Sequence, residues 1–285
     1  MPQHPALASG RTAVITGAAS GIGLAAAKRV AGFGMRVVMA DVNEAALNSA
    51  VEAVADKAGR PDDVIGVATD VSDRAAVERL KDRAYDAFGE VALLMNNAGR
   101  GGDGDLLGGA DWQAIIDANM WGVIHGTQLF APAMVAQNAP CAIVNTGSKQ
   151  GITCPPGNSA YNVSKAAVKV ATEALAHDLR NIDGCQVSAH LLIPGFAFTG
   201  IVGGQPGAEK PAGAWTADQV VDFMLAAMAK GDFYILCPDN DVTREMDEKR
   251  IRWAAGDIIE NRPALSRWHA DHEADFAAYM SGDET

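Results

Sequence analysis

Short, nearly continuous apolar runs alternate with segments of helical period from Thr12 to about Pro238. Thr12–Thr16, Arg36–Ala40, Val64–Ala68, Ala92–Met95, Ala142–Asn145, Gln186–Ile193 and Phe233–Cys237 read as strands, being short, apolar and rich in β-branched residues. Between them, Gly23–Gly34, Glu44–Gly59, Arg74–Phe88, Trp112–Gln137, Ala160–Asn181 and Ala217–Lys230 repeat apolar residues every three or four positions, which gathers them on one helix face. Strands apolar on both sides, in strict alternation with helices, predict an α/β fold: a doubly wound parallel sheet of about seven strands with helices on both faces.

Two stretches interrupt the rhythm. Gly200–Ala214 is rich in glycine and proline, and a loop that long inside a compact fold is usually a binding loop, so 196–215 is the candidate substrate lid. After Pro238, Asp241–Glu260 regains helical spacing at Val242, Met246, Ile251, Ala254 and Ile258; Arg262-Pro263 stops it, and a last segment carries Trp268, Phe276 and Tyr279. The 285 residues read as a single domain, 1–285, in which 10–238 form the sheet with its site and 239–285 a C-terminal helical extension.

Acidic side chains outnumber basic ones 35 to 23, a net charge of −12, so the positive field that nucleic acid or an anionic membrane would need is missing. The four cysteines, Cys141, Cys154, Cys185 and Cys237, are far apart and read as reduced thiols. Met1–Gly10 has neither the basic nor the apolar region of a secretory leader, and no apolar run reaches the roughly 18 residues of a membrane span. The expectation is a soluble, cytoplasmic protein.

The turn after the first strand, Thr16-Gly17-Ala18-Ala19-Ser20-Gly21-Ile22-Gly23, opens the first helix. Glycines there let the backbone turn sharply and approach a pyrophosphate, and the helix N-terminus favours the anion. Asp41 ends the second strand, 18 residues after Gly23, where a carboxylate accepts from the adenosine ribose hydroxyls and repels a 2′-phosphate. Arg36, the nearest base, starts that strand instead of ending it, so NAD is favoured over NADP.

Tyr161 and Lys165 are four apart on a predicted helix and share a face. A tyrosine acting as a base near neutrality needs its phenolate stabilised, and an ammonium one turn away, joined by a positively charged nicotinamide, is a source of that stabilisation. Taken with Gly17-x3-Gly21-x-Gly23, Asn96-Asn97-Ala98-Gly99, Asn119, Ser148 and Pro194-Gly195, in this order and spacing, the pair makes the chain resemble the classical short-chain dehydrogenase/reductase family, closely so from about Gly10 to Thr199.

The resemblance implies a Rossmann-type fold and an NAD-dependent oxidoreductase interconverting a secondary alcohol and a ketone. Tyr161 would be the general acid/base, Lys165 would hold the nicotinamide ribose and lower the Tyr161 pKa, and Ser148 would hydrogen-bond the substrate oxygen. Asn119 would anchor a water leading from Lys165 to solvent. Gly17, Ser20, Gly21, Ile22 and Gly23 would line the pyrophosphate and adjoining ribose with Asp41, while Asp70 and Val71 would face the adenine. Asn97, Ala98 and Gly99 would pack on the adenosine side, and Pro194, Gly195 and Thr199 would border the nicotinamide. The ending Pro238-Asp239-Asn240 departs from the family's common Asp-Gly-Gly type, which puts the usual subunit contacts there in doubt.

Substrate choice falls to Gln150, Arg100–Gly104, Cys154-Pro155-Pro156 and the lid. Trp215, Trp253 and Trp268 fall in the lid or tail, and a tail folded over the lid would make the pocket apolar, suited to a hydrophobic or aromatic alcohol or ketone. His269 and His272 could share a helix face, but without a third ligand at recognisable spacing no metal site is read. The alternative reading is a catalytically silent nucleotide-binding regulatory or scaffold protein, which the loss of Tyr161, Lys165 or Ser148 would signal; all three are present. Trp112–Gln137 and Ala160–Asn181 resemble helices that pair across family dimers, which implies a homodimer or homotetramer.

Overall fold

The computed structural model describes residues 3–200 and 209–282. The middle of the proposed lid, 201–208, and the last three residues of the 239–285 extension lie outside them. Seven strands form one parallel sheet: β1 (Thr12–Thr16), β2 (Arg36–Asp41), β3 (Val64–Ala68), β4 (Leu93–Asn96), β5 (Cys141–Thr146), β6 (Val187–Ile193) and β7 (Tyr234–Leu236). Their order is β3-β2-β1-β4-β5-β6-β7. The chain winds outward from β1 to β3, then returns to place β4 on the other side of β1. Connections leaving β1 and β4 diverge, and a crevice opens at the carboxyl ends of these two strands.

The helices are α1 (Gly21–Gly32), α2 (Glu44–Ala55), α3 (Arg74–Phe88), α4 (Trp112–Ile116), α5 (Gly122–Ala136), α6 (Gln150–Thr153), α7 (Ser159–Arg180), α8 (Ala217–Met228), α9 (Arg244–Ile259) and α10 (Glu273–Ser281). The period of two along the strands divides the core. Ala13, Ile15, Val37 and Met39 pack with Val30 of α1, Leu47 of α2 and Met224 of α8 on one face. Val14, Val38 and Ala40 pack with Leu80 of α3, Phe130 and Met134 of α5 and Leu179 of α7 on the other. Full burial of such a side chain is worth about 1.5–3 kcal/mol, so the two apolar layers dominate the stability of the sheet.

Side-chain caps set several helix starts, each satisfying a backbone N–H that lacks an intrahelical partner: Asn43 for α2, Asp73 for α3, Asn158 for α7, Thr243 for α9, and a reciprocal Thr216–Gln219 box for α8. The expected helix over Trp112–Gln137 is not continuous. A π turn at Asp117–Trp121 separates α4 from α5, and Asn119, fully buried, lies within it. The short helix α6 was not legible in the apolar period, because four residues are too few to display one.

The extension packs largely on itself. Trp253 of α9 lies under the Arg262 guanidinium at 4.2 Å, its ring centroid is 5.3 Å from that of Phe276 and 5.2 Å from that of Tyr279, and its Nε1 donates to Ser266 Oγ at 2.8 Å. Trp268 stacks beneath Arg267 at 4.7 Å. Among the described residues no helix is long and apolar enough to cross a membrane.

Candidate active site

The glycine turn lies where β1 hands over to α1. Gly17 has φ +65°, and a Cβ there would fall 2.8 Å from Ala98 Cα, so both conformation and contact demand glycine. A Cβ on Gly23 would run into the Gly17 carbonyl and come within 2.8 Å of Asn97 Nδ2. The Asn97 side chain braces the turn from the β4 side, donating to the Thr16 carbonyl at 3.1 Å, while the Asn97 and Ala98 amides both donate to Thr16 Oγ1 at 3.0 Å. Ser20, at the N-cap of α1, makes no side-chain cap bond. The first-turn N–H groups therefore remain available to an anion.

Asp41 stands at the tip of β2 beside this turn. Its carboxylate accepts from the Ala19 amide at 3.1 Å and the Asn43 amide at 3.0 Å. Arg36 is at the other end of the strand, donating to the Gly10 carbonyl at 2.9 Å and the Phe88 carbonyl at 3.3 Å. Arg36 therefore does not share the tip of β2 with Asp41.

A cleft of about 500 Å³ runs from Gly17, Ser20, Gly21, Ile22 and Asp41, past Asn97, Ala98 and Gly99, to Ser148, Tyr161, Lys165, Pro194, Gly195 and Thr199. These residues come from six separate stretches of chain. A second cleft of about 510 Å³ shares Ser148, Tyr161, Pro194 and Gly195 with the first and adds Lys149, Gln150, Asn158 and Phe196. A cradle that Cβ atoms would fill, a carboxylate at the strand tip and an ammonium at the far end are the features a nicotinamide dinucleotide needs, so the donor set fits that group.

Helix α7 presents Tyr161 and Lys165 on one face, as their spacing requires. Tyr161 and Ser148 face each other across the lining shared by the two clefts, and Ser148 favours the ionised form of the Tyr161 hydroxyl. Lys165 is buried, its Nζ donates to the Thr146 carbonyl at 2.8 Å and lies 5.7 Å from the Tyr161 ring centroid. Burial lowers the Lys165 pKa to about 8. Burial also pushes Tyr161 above the ordinary tyrosine value, against the opposing influence of Ser148. The Lys165 ammonium is hydrogen-bonded to a backbone carbonyl, and desolvation is the larger influence on the phenolate.

The buried Asn119 side chain makes three hydrogen bonds. Its Oδ1 accepts from the Arg100 amide at 2.8 Å, and its Nδ2 donates to the Arg100 carbonyl at 3.0 Å and to Ser164 Oγ at 3.2 Å. The side chain thus ties the π turn to the chain after β4 and to α7. Asp70 and Val71 lie outside the lining of both clefts. Asp70 accepts from the Ser72 amide at 2.9 Å, and Val71 is buried against Gly122.

None of Trp215, Trp253 and Trp268 lines either cleft, which removes the tryptophan argument for an apolar pocket. Trp215 faces Phe223 of α8 at 5.8 Å while its backbone pairs with Phe196 and Phe198. Thr16, Thr146 and Ser164 escaped the sequence reading although they brace the site. A threonine at a strand end carries no local signal of such a role.

The short chain dehydrogenase family model matches residues 11–208. Among curated proteins, 1-deoxy-11-beta-hydroxypentalenate dehydrogenase of Streptomyces avermitilis is 34% identical over 251 residues, covering 85% of this chain and 90% of that protein. Among solved structures, a short chain dehydrogenase/reductase from Burkholderia phymatum in complex with NAD has a TM-score of 0.79 at 39% identity, covering 89% of this chain and 96% of that one. A metagenomic short-chain oxidoreductase in complex with NADP has a TM-score of 0.67 at 27% identity, with 81% and 98% covered. With the sheet order, the glycine cradle and the Ser148–Tyr161–Lys165 cluster, these likenesses mean that the chain belongs to the short-chain dehydrogenase/reductase family.

Proposed function

We propose that this protein is an NAD-dependent oxidoreductase that interconverts a secondary alcohol and a ketone. The observation that carries the reading is that Tyr161 and Ser148 line both clefts, so a proton-transfer group stands where cofactor and substrate would meet. Bound NAD would supply the acceptor or donor of a hydride. Tyr161 would exchange the proton of the substrate oxygen, and Ser148 would donate to that oxygen as charge develops on it. Lys165 would hold the nicotinamide ribose, and the charge of the oxidised nicotinamide would favour the phenolate that burial disfavours. Asn119 would act by holding the chain after β4 against α7.

Gly17, Gly21 and Gly23, with Ser20 and Ile22, would hold the pyrophosphate and Asp41 the adenosine ribose; Asp70 and Val71, just past β3 on the same carboxyl edge, would flank the adenine. The Asp41 carboxylate supports NAD over NADP. On the substrate side Gln150 and Phe196 reach the second cleft, and the aromatic ring of Phe196 is what supports a hydrophobic or aromatic substrate. Exposed Trp121 beside α5, with Val163 and Val170 on α7, supports a homo-oligomer paired through these helices.

The test is a screen of secondary alcohols and ketones with NAD and NADP, read by nicotinamide absorbance. Turnover by the native protein, lost by at least about a hundredfold in Tyr161→Phe with NAD binding retained, is expected. Turnover of none of them, or near-native rates in Tyr161→Phe, would overturn the reading.

A further inference from the structure

Lys149 follows Ser148 directly, yet its side chain turns away from the reacting centre into a charged cluster beneath the second cleft. Its Nζ lies 2.6 Å from Asp247 Oδ2 of α9 and 3.4 Å from Asp239 Oδ2. All three side chains are sequestered, at 16%, 6% and 5% exposure for Lys149, Asp239 and Asp247. Arg250 and Arg267 line the same small cavity and add positive charge near Asp247. A buried, paired ammonium adjoining the Ser148 backbone is unlike a solvated surface lysine, and its partners come from the chain's C-terminal extension.

The cluster reaches both loops that border the reacting centre. The Lys149 amide donates to the Pro194 carbonyl at 3.2 Å, and Asp239 Oδ2 accepts from the Phe196 amide at 3.2 Å. A Cβ on Gly195 would sit 2.6 Å from Asp239 Oδ2 and 2.7 Å from Lys149 Nζ, so the turn rests directly on the ion pair. Asn240 grips the far end of the same loop, its amide donating to the Gly213 carbonyl at 3.1 Å and its Nδ2 to the Ala212 carbonyl at 2.6 Å. Pro238-Asp239-Asn240, where the chain departs from the family's usual ending, thus touches both described ends of the substrate loop.

We propose that Lys149 is a positioning residue: held between Asp239 and Asp247, it aligns Ser148 with the Pro194–Phe196 turn and makes α9 of the C-terminal extension part of the catalytic scaffold. This rests on the oxidoreductase reading for its kinetic consequence, though its structural consequence does not. Displacing Ser148 or the turn leaves the glycine cradle and Asp41 in place, since both sit on the β1–β2 side of the sheet. Loss of the tie therefore slows turnover while NAD affinity is kept.

The test uses the full chain with Asp247→Asn, which preserves shape and leaves Lys149 its Asp239 partner, and Ser266→Ala as a control that loosens the extension without touching Lys149. Asp247→Asn is expected to lower kcat about tenfold, with NAD Kd within about twofold of native, because small misplacements of reacting groups carry rate penalties of this order. Ser266→Ala is expected to lose thermal stability and keep native kcat. Hydrogen–deuterium exchange gives an arm independent of activity: amides of 148–153 and 194–198 exchange faster in Asp247→Asn while those of 36–41 do not. Native exchange in those two segments, native kcat in Asp247→Asn, or an equal loss of kcat in Ser266→Ala would overturn the proposal. A native protein that turns over no alcohol or ketone would instead remove the oxidoreductase reading, leaving the exchange arm to judge the tie.

Discussion

The Lys165 ammonium donates to the Thr146 carbonyl at 2.8 Å, at the point where β5 ends beneath the cleft. The same side chain is fully enclosed, and one backbone acceptor replaces little of the water an ammonium loses on burial. A residue placed for chemistry is thus a liability to the fold, and two consequences can be measured.

Replacing Lys165 with Met should stabilise the protein without cofactor while abolishing turnover. The folded pKa of about 8 is below the unfolded 10.5, so the folded state binds fewer protons between these values and stability rises as pH climbs from 8 to 10.5. Below pH 8 the charged form is buried at a penalty on the order of 2 kcal/mol after allowing for the lost Thr146 bond. Thermal melts from pH 7 to 10.5 should show this rise in the native protein and its absence in Lys165→Met. A lower melting temperature in the variant at pH 7 would contradict the argument.

Tyr161 makes the two reaction directions respond oppositely to pH. Burial raises its pKa, so near neutrality it is a proton donor, ready for ketone reduction. Alcohol oxidation needs the phenolate and should accelerate as pH rises, whereas reduction should hold level and then fall in alkali. Initial rates measured in both directions across pH 6 to 10 decide this, and parallel profiles would speak against Tyr161 as the shared proton carrier.

Asp41 should control cofactor choice by charge. Asp41→Ala removes the carboxylate proposed to hold the adenosine ribose, and the kcat/KM ratio of NADP to NAD should rise by at least about tenfold. The Ala19 and Asn43 amides also lose their acceptor, so some loss of NAD affinity accompanies the change. An unchanged cofactor ratio would move discrimination to another residue.

Far from the cleft, His4 and His190 share the Ser188 hydroxyl, at 3.2 and 2.9 Å, with ring centroids 5.6 Å apart. Burial, with the neighbouring His190, lowers the His4 pKa to about 4, and burial lowers His190 as well. The unfolded chain binds more protons between 6.5 and 4, so the stability these residues confer is complete above pH 6.5 and declines as pH falls toward 4. His4→Gln should flatten that decline in denaturant titrations; an unaltered slope would exclude His4 from it.

The alternation of apolar runs with helical segments was enough to foretell seven strands, their parallel sense and the covering of both faces, because burial of a whole strand or one helix face is written into local spacing. The glycine turn, Asp41 and the Tyr161–Lys165 pair were equally legible, since each follows from a residue type at a fixed place in one local element. The π turn at Asp117–Trp121 was not, because an extra residue in a helical turn leaves the apolar period intact and depends on what the Asn119 side chain meets. Likewise three tryptophans in the lid and tail say nothing of direction, and packing turned Trp253 toward Arg262, Phe276 and Tyr279.

By itself, then, the sequence determined the layers of the fold and most of the side chains that line the cleft, because both are encoded in periodicity and in the special demands of glycine, acid and base at element ends. Tertiary structure alone decided the partners: Lys165 with the Thr146 carbonyl, Asn119 with Arg100 and Ser164, Lys149 with Asp239 and Asp247. Partners and protonation depend on which polar groups burial brings together across tens of residues, and burial is a property of the packed whole. The 239–285 extension shows the division most clearly. Its helices could be foreseen from spacing, but that one of them supplies a carboxylate to Lys149 follows only from how α9 packs against α6.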